Sequence, residues 1–439
     1  MSGKVNKAMT LKRFVHNATA AAAAAMNRPR PTCKPSTLNS FWGKVTLAPR
    51  DPIISINQLY KQDPNPKKIN FSIGTYRTEE NESFIFSSVQ KAEEKVFSET
   101  RILEKEYSPM EGFHPFNKLA YELLFGNDHY EQSNITVQTL AGTGALDLGA
   151  TFLGKFYLGR KEAFISQPSW INHYLIFTNY GFNTKAFRYY DNKRKQFDTN
   201  GFFEDIEKLP DHSVVLFQPC GHNPASVQPT PSQWDMISRI IREKNILPFF
   251  DIAYHGLCSG QIESDVYAIR KFAQDGHHML VSQSFSKNMS LYGDRVGSLT
   301  IMCESEDEAY RVRSQLKNLI ISKYICPPFQ TGRVVATVLE DQFLRHEWIE
   351  QLGGITERLQ RTRWQLRRKL ESVCPEHQWK HITEQCGIFW YSGLTSSQVE
   401  TLINEYSIYL CEDGRVNIAG INPNNIDLFG DVIRDVINR

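Results

Sequence analysis

The feature that most constrains the fold is a series of short apolar runs that alternate with helical patterns through the middle of the chain. Each run is followed by polar or turn residues, and the runs are Ser213 to Phe217, Ile246 to Ile252, Met279 to Val281, and Gly297 to Met302. Short buried strands separated by helices are typical of an α/β protein with a doubly wound, mostly parallel sheet. In such sheets ligands bind beyond the carboxyl ends of the strands.

The segment between the first two runs illustrates the helical pattern. Pro231 suits the first turn of a helix, and the apolar residues behind it recur on one face: Trp234, Ile237, Ile240 and Ile241. The strand signal fades after Pro327 and Pro328. The charged stretch from Arg358 to Leu370 is predicted to be a helix with a solvated face. Short strands return from Cys386 onward, which indicates a second, smaller α+β unit.

Charge is distributed unevenly along the 439 residues. Residues 1–50 hold nine of the 50 Lys and Arg residues and none of the 48 Asp and Glu residues, which leaves the rest of the chain with a formal charge of −7. An acidic body argues against a nucleic-acid-binding protein, which needs a basic face. With 41% hydrophobic and 12% aromatic residues, the chain can bury a large core. No apolar run approaches the roughly 20 residues that a transmembrane helix needs.

The eight cysteines show no metal-binding or disulfide pattern. They are scattered, without a CxxC pair, so the sequence predicts neither a zinc site nor a disulfide framework and favours a reducing compartment.

Residues 1–37 are basic, free of acidic residues, and rich in Ala, Ser and Thr. This composition predicts a mitochondrial transit peptide. A secretory signal and a disordered cytosolic tail are the alternatives. The only candidate for the apolar core of a secretory signal is the weakly apolar run from Ala20 to Ala25.

Polar residues cluster where the predicted strands end. The segments are Cys220 to Pro224, Asp251 to Tyr254, Ser282 to Lys287, and Arg295, and a Gly-rich turn from Ala141 to Gly144 leads into an apolar helix. The free N–H groups of such a turn suit a phosphate. A lysine, a carboxylate, ring-oxygen donors and a phosphate-binding arginine are together the groups that an aldehyde-bearing pyridine cofactor requires.

The order of these segments along the chain resembles that in the aspartate aminotransferases, a family of fold type I pyridoxal 5'-phosphate enzymes. The resemblance is strongest to the mitochondrial form. The resemblance runs from about Phe41 to the end, and its strongest part is SQSFSKNMSLYGDRVG, from Ser282 to Gly297. It implies a seven-stranded-type, mostly parallel sheet flanked by helices, with a smaller α+β domain.

The resemblance implies three catalytic residues. Lys287 would join the cofactor aldehyde and shuttle a proton during turnover. Asp251 would pair with the pyridine nitrogen, with His173 behind it. Tyr254 would hydrogen-bond the ring oxygen.

It also implies sets of binding residues. The cofactor would be held by these three residues together with Asn223, Arg295, Ser284, Gly142, Thr143, Trp170 and Tyr107. Of these, Tyr107 would reach the phosphate of a partner subunit. The substrate would be bound by Arg415, at its α-carboxylate, and by Gly74, Trp170 and Asn223.

The chain departs from the family where the side chain of a dicarboxylic substrate would bind. The family's second substrate-binding arginine, contributed by the neighbouring subunit, is Ile321 here, and Ile325-Cys326 replaces a Ser-Asn pair. An apolar side chain cannot pair a carboxylate, so the preference for dicarboxylic substrates is expected to shift. Lys323 is a candidate replacement.

Three further departures are milder. Ala141 replaces a phosphate-binding serine, Gln218 replaces a histidine of the ring-nitrogen network, and Ser226 stands where the family has a glycine. If that position has positive φ, Ser226 is strained there.

Three functions remain open from the sequence. The first is transamination between an L-amino acid and a 2-oxo acid, with aspartate and 2-oxoglutarate as the pair that the resemblance implies. The second is a catalytically attenuated relative with a binding or structural role. The third is another reaction of the same cofactor, such as β-elimination or decarboxylation, and an altered substrate is a further possibility.

The predicted organisation follows from the same resemblance. Residues 1–37 are the transit peptide, 38–84 an N-terminal arm and part of the small domain, 85–354 the large cofactor-binding domain, and 355–439 the small C-terminal domain. A homodimer in the mitochondrial matrix is expected, with the cytoplasm as the alternative location.

Overall fold

The structure is a computed structural model that describes residues 41–42, 44–48, 51–99, 106–126 and 132–439. The transit peptide predicted over residues 1–37 lies outside the described residues.

Thirteen strands occur in the described residues. They are β1 (Ile69–Asn70), β2 (Asn134–Leu140), β3 (Glu162–Gln167), β4 (Asn183–Arg188), β5 (Tyr190–Asp191), β6 (Gln196–Phe197), β7 (Val214–Phe217), β8 (Leu247–Ile252), β9 (Leu280–Ser284), β10 (Val296–Met302), β11 (Phe389–Tyr391), β12 (Ile408–Tyr409) and β13 (Arg415–Asn417).

Seven of these strands form the central sheet, in the order β2-β10-β9-β8-β7-β3-β4. Strand β10 runs antiparallel to both of its neighbours, and the other pairings are parallel. The predicted mostly parallel α/β sheet is therefore confirmed. All four apolar runs singled out in the sequence contribute strands to it.

The helices are α1 (Pro52–Gln62), α2 (Ser87–Glu99), α3 (His114–Phe125), α4 (Ala141–Phe156), α5 (Ile171–Asn179), α6 (Thr199–Glu207), α7 (Pro231–Glu243), α8 (Ile262–Asp265), α9 (Tyr267–Gln274), α10 (Glu306–Tyr324), α11 (Phe329–Glu340), α12 (Gln342–Val373), α13 (His381–Glu384), α14 (Ser396–Tyr406) and α15 (Ile426–Ile437). A 3₁₀ turn spans Ile418–Gly420. None of these helices combines the length and apolarity needed to cross a membrane.

The N-terminus of α7 shows how local sequence sets an element. Pro231 occupies the first turn, and Thr230 and Gln233 form a reciprocal capping box that satisfies backbone donors which the helix leaves free. Trp234, Ile237 and Ile241 are buried against the sheet, as the periodicity predicts.

Both faces of the central sheet are covered, which explains why its strands read as continuous apolar runs. Neighbouring residues of β8 point to opposite faces, so that Phe249 lies in one core cluster with Leu146 of α4, while Phe250 lies in another with Trp234 and Phe272. The sheet is therefore a rigid platform for the residues at its edge.

Short sheets lie outside the central sheet, and one of them joins an N-terminal segment to a C-terminal one. Strand β1 pairs in parallel with β12, and β11 pairs antiparallel with β13. The first of these pairings places residues 69–70 beside residues 408–409.

The solvated face predicted for Arg358 to Leu370 is wrong at two positions. Arg358 is 9% exposed and Arg363 is 2% exposed, and both donate hydrogen bonds to backbone carbonyl groups. Burial lowers the pKa of Arg363 to about 9. Helical periodicity alone does not reveal which arginines will meet carbonyl groups from distant segments.

The sequence shows no disulfide pattern, yet the structure contains a disulfide. Cys258 and Cys386 are bonded, with their Cα atoms 5.2 Å apart, although 128 residues separate them in sequence. No spacing rule connects such distant cysteines, because only the tertiary fold brings them together. The sequence argument for a reducing compartment therefore loses this support.

Candidate active site

A cleft of about 180 Å³ opens at the carboxyl ends of the parallel strands, where α4 begins. It is lined by eleven of the twelve site residues predicted from the sequence: Gly74, Gly142, Thr143, Trp170, Asn223, Asp251, Tyr254, Ser284, Lys287, Arg295 and Arg415. Residues that are far apart in sequence thus form one site, at the edge of the sheet that α/β folds commonly use.

Lys287 follows β9 by three residues, and its amine lies 5.4 Å from the centre of the Tyr254 ring. Burial lowers its pKa; nearby Asp251 opposes this effect and Arg295 adds to it. A lowered pKa leaves a larger fraction of the amine neutral and nucleophilic near neutral pH. This is the state that an amine needs to condense with an aldehyde.

Asp251 is held in a fixed orientation by two side chains. His173 Nε2 lies 2.9 Å from Asp251 Oδ2, and the Ser282 hydroxyl donates to Oδ1 over 3.2 Å. His173 Nδ1 in turn lies 2.9 Å from the Ser169 hydroxyl. This chain of contacts points a carboxylate into the cleft, where it can hold a protonated ring nitrogen.

A cradle for an anion lies beside Lys287. Gly142 and Thr143 are at the N-terminus of α4, opposite Ser284, Ser286 and Arg295. A Cβ atom at Gly142 would lie only 3.1 Å from Ser284 Cβ, so the glycine allows the helix N-terminus and the serine to approach closely. Backbone N–H groups, hydroxyl groups and a guanidinium are the donors that a phosphate requires.

Asn223 and Tyr254 form the opposite wall. Asn223 N–H donates to Gln218 Oε1 over 2.9 Å, and the Gln218 amide donates back to Asn223 O over 3.3 Å. Gln218 therefore fixes the loop that carries Asn223. Burial raises the pKa of Tyr254, although Arg415 opposes the rise, so its hydroxyl remains a hydrogen-bond donor.

Arg415 is the cation at the mouth of the cleft, and it is 5% exposed. Its guanidinium donates to Asn223 Oδ1 and lies 4.5 Å from the centre of the Phe389 ring. Its Nε–H is buried and has no acceptor among the described residues. An unpaired buried donor costs about 1–3 kcal/mol, so Arg415 is prepared to receive a carboxylate.

Gly74 and Phe389 form a tight contact at the same wall. A Cβ atom at Gly74 would lie 2.9 Å from Phe389 Cζ and 4.0 Å from the Tyr254 hydroxyl. A larger residue at position 74 would displace the ring that supports Arg415.

Three non-glycine residues in the segments that carry the site have left-handed backbone conformations. They are Ala141 (φ 57°), Ser226 (φ 56°) and Arg295 (φ 57°). The strain predicted at Ser226 is therefore confirmed. Such outliers persist only where the surrounding structure compensates for their cost.

Tyr107 is the one predicted site residue that does not line the cleft of its own chain. It is 79% exposed. Its contribution to a partner subunit stays a prediction.

Sequence reasoning missed several residues of the cleft. Ser286 lies inside the recognised motif, and its hydroxyl accepts from Arg295 over 3.4 Å. Phe389, Leu146 and Ala253 also line the site. Their apolar side chains carry no chemical signal, and only the fold shows where they lie.

The segment around Ile321 ends helix α10. Ile321 is 45% exposed and Ile325 is 49% exposed. Lys323, the candidate replacement for the family's arginine, is instead engaged within its own chain: its amine lies 2.6 Å from Asp147 Oδ2 and 2.8 Å from the Tyr180 hydroxyl. Lys323 is thus not free to receive a substrate carboxylate.

Residues 66–433 match a family model described as aminotransferase class I and II. The chain belongs to this family. It is a pyridoxal phosphate-dependent aminotransferase, and the anion cradle, Lys287 and Asp251 fit the three parts of that cofactor: its phosphate, its aldehyde and its ring nitrogen.

Named relatives cover nearly the whole aminotransferase chain. It is 41% identical over 401 residues to a mitochondrial aspartate aminotransferase of Xenopus tropicalis, covering 91% of this chain and 93% of the relative. It is 40% identical over 407 residues to cytoplasmic isozyme 2 of aspartate aminotransferase from Arabidopsis thaliana, covering 92% and 100%. Transamination is thereby favoured over the attenuated, non-catalytic alternative.

A solved structure shows the same fold. An aromatic-amino-acid aminotransferase from Burkholderia pseudomallei, covalently bound to pyridoxal phosphate, superposes with a TM-score of 0.86 at 37% identity, covering 90% of this chain and 99% of that one. Similar aminotransferases are thus named for both aspartate and aromatic substrates.

Proposed function

We propose that this aminotransferase uses Lys287 both to anchor the cofactor and to transfer the substrate proton. When bound, pyridoxal phosphate supplies an aldehyde for amine condensation and a ring that draws electrons from the substrate Cα. Once the substrate amine has displaced it from the cofactor aldehyde carbon, the free Lys287 Nζ would take the proton from the substrate Cα and deliver it to that aldehyde carbon. The lowered pKa of Lys287 and its place on the cleft wall support this role.

The other residues of the cleft hold and polarise the reacting groups. Asp251 would keep a proton on the ring nitrogen, which gives the ring its electron-withdrawing power. Tyr254 and Asn223 would donate to the ring oxygen, and Trp170 would pack against the ring. Gly142, Thr143, Ser284 and Arg295 would bind the phosphate.

Arg415 binds the α-carboxylate that every amino-acid and 2-oxo-acid substrate carries. Its planar fork suits two parallel hydrogen bonds to a carboxylate. The single observation that carries this assignment is its buried Nε–H, which lacks an acceptor at the mouth of the cleft. Gly74 leaves room for the substrate beside Phe389.

The proposed substrates are L-aspartate and 2-oxoglutarate, as the names of the relatives indicate. The preference for dicarboxylic side chains is proposed to be weaker than in the relatives. The cleft's described lining contains only three cations, Lys287, Arg295 and Arg415, and each has a role at the cofactor or the α-carboxylate. With Ile321 in the substrate-side position and Lys323 engaged by Asp147, apolar and aromatic amino acids should compete well.

An Ile321→Arg substitution tests this account of specificity. A bidentate pair with a substrate carboxylate is expected to raise kcat/KM for aspartate by roughly tenfold or more relative to that for phenylalanine. Tyr310→Arg is the matched control, because it adds the same charge to an exposed position of α10. Steady-state kinetics with both amino acids decides the matter. Equal ratios in both variants would refute the placement of Ile321 at the substrate.

We also propose that the enzyme is a homodimer. Large apolar side chains are exposed at the described N-terminal residues and elsewhere on the surface: Phe41, Trp42, Val45, Leu47, Tyr107 and Ile325. Residues 41–50 would embrace the neighbouring subunit, and Tyr107 and Ile321 would complete its site. Light scattering during size exclusion should give twice the monomer mass, and a monomer with full activity would exclude this arrangement.

The proposed location is the mitochondrial matrix, directed by residues 1–37. The relatives named above include a mitochondrial and a cytoplasmic enzyme. A fluorescent fusion of residues 1–37 should enter mitochondria, and a diffuse cytosolic signal would favour the cytoplasm.

The proposed domains are the large unit of residues 85–354 and a small unit of residues 355–439 with residues 38–84.

A further inference from the structure

The Cys258–Cys386 bond joins two segments that form walls of the active site. Cys258 lies four residues after Tyr254, in the loop that follows β8. Cys386 lies three residues before Phe389, in the loop that leads into β11. The Tyr254 and Phe389 rings are 5.9 Å apart at their centres, and Phe389 in turn supports Arg415. The disulfide and the Tyr254–Phe389 contact thus connect the same two segments on the substrate side of the cleft.

The bond is accessible from outside the protein. It lies on a separate cavity of about 280 Å³, whose lining includes both cysteines, Thr356, Trp364 and Thr383. Cys258 is only 4% exposed, while Cys386 is half-buried. An attacking thiolate would therefore meet Cys386 Sγ and expel Cys258 as the leaving group.

The surroundings accommodate the reduced state as well as the oxidised one. Gln228 Oε1 lies 3.2 Å from Cys258 Sγ and 3.6 Å from Cys386 Sγ, so either thiol has an acceptor at hand. Buried Arg363 donates to Ile382 O over 3.0 Å and to Gly387 O over 2.9 Å. These hydrogen bonds do not depend on the disulfide, so the fold should stay intact after reduction. The loop loses a covalent restraint and should become looser.

We propose that the Cys258–Cys386 pair is a redox modification site, which takes a dithiol reductant and sets how firmly the Phe389 wall supports substrate binding. One thiolate of the reductant attacks Cys386 Sγ, the disulfide breaks, and Cys258 leaves as a thiolate that is then protonated. The second thiol of the reductant then attacks the reductant's sulfur in the mixed disulfide, and Cys386 leaves as a thiolate that is protonated. Two electrons and two protons end on the two cysteines, and the reductant leaves as its cyclic disulfide.

Two measurements that do not depend on activity test the exchange. Oxidised protein with bound cofactor is treated with dithiothreitol, alkylated and analysed by mass spectrometry, which should show two additional labelled cysteines, at positions 258 and 386. Amide hydrogen exchange should then rise in peptides that cover residues 382–389 and stay unchanged in helix α7. Alkylation of both cysteines before reduction, or unchanged exchange in residues 382–389 after it, would overturn the proposal.

A kinetic measurement tests the link to substrate, and it rests on the proposed role of Arg415. Reduction is expected to raise KM for the amino acid by about threefold or more, with kcat changed less than KM. The double variant Cys258→Ser/Cys386→Ser should have the same raised KM as the reduced parent protein, and dithiothreitol should not change it. Cys303→Ser, which removes a half-buried free cysteine, should respond like the parent protein.

The outcomes separate this proposal from the proposed function. A KM that stays constant while the labelling shows full reduction would refute the coupling and leave transamination untouched. Absence of any transamination would refute the proposed function, and the labelling and exchange measurements would still decide whether the bond is a redox site that controls the loop.

Discussion

At the residue scale, the polar segments at the strand ends predict most of the site, because each chemical group that the cofactor requires calls for a distinctive side chain. Lys287, Asp251, Tyr254 and Arg295 can be recognised from their order in sequence, and the structure brings them to one cleft. Arg363 and Phe389 cannot be recognised in this way. Their partners are backbone carbonyl groups and a neighbouring guanidinium, which the fold supplies from distant segments.

Ser226 offers a test of backbone strain at a single residue. A left-handed conformation costs a non-glycine residue about 1–2 kcal/mol, whereas glycine adopts it freely. Ser226→Gly should therefore stabilise the protein by roughly 0.5–1 kcal/mol after the greater entropy of glycine in the unfolded chain is subtracted. Chemical unfolding measures the change. The Ser226 hydroxyl makes only a 3.5 Å contact with Pro224 O, so little is lost with it. A destabilised variant would contradict this explanation.

At the element scale, the start of helix α4 combines a turn, a dipole and a close contact with Ser284. The sequence predicts the anion site from the AGTG turn, since N–H groups at a helix N-terminus bind phosphate. It does not predict that Ser284 packs 3.1 Å from the position of a Gly142 Cβ, because that distance depends on how α4 crosses β9.

Gly142→Ala should separate cofactor affinity from stability. The added methyl group displaces Ser284, and loss of one hydrogen bond to a charged phosphate costs about 1.5–3 kcal/mol, or roughly 10- to 100-fold in the Kd of pyridoxal phosphate. Fluorescence titration of the cofactor-free protein measures this Kd.

A matched control exists in helix α12. A Cβ atom at Gly353 would contact nothing within 4 Å, so Gly353→Ala should raise the free energy of unfolding by about 1 kcal/mol and leave cofactor affinity unchanged. If both alanine variants bind the cofactor as tightly as the parent protein, the cradle is not where we place it.

At the scale of the whole molecule, buried neutral histidines govern stability in acid. Burial lowers the pKa of His222, His255 and His381 to about 3 and that of His277 to about 4. In the unfolded chain these groups titrate near 6.5, so between pH 6.5 and 4 the unfolded state binds more protons than the folded state. Stability should therefore fall as the pH is lowered through this range.

The expected slope is at most about 1.4 kcal/mol per pH unit for each histidine. Asp265 acts in the opposite direction, because burial raises its pKa to about 6 and the folded state gains from its protonation. The effect of Asp265 on the pH dependence of stability is smaller than the combined effect of the four histidines. Thermal unfolding at pH 7.5, 6 and 5 checks the prediction, and a melting temperature that is constant or rises toward pH 5 would be inconsistent with neutral buried histidines.

The measurement that tests the central claim most directly follows the amino group itself. Protein loaded with pyridoxal phosphate is incubated with ¹⁵N-labelled L-aspartate and 2-oxoglutarate, and labelled glutamate is quantified by mass spectrometry. The parent protein and Lys380→Ala, which alters an exposed lysine, should transfer the label. Lys287→Ala should lower the rate by at least about 10²-fold, as expected for loss of the general base. Transfer by Lys287→Ala within tenfold of the parent rate, or no transfer of the label from aspartate by the parent protein, would contradict the account.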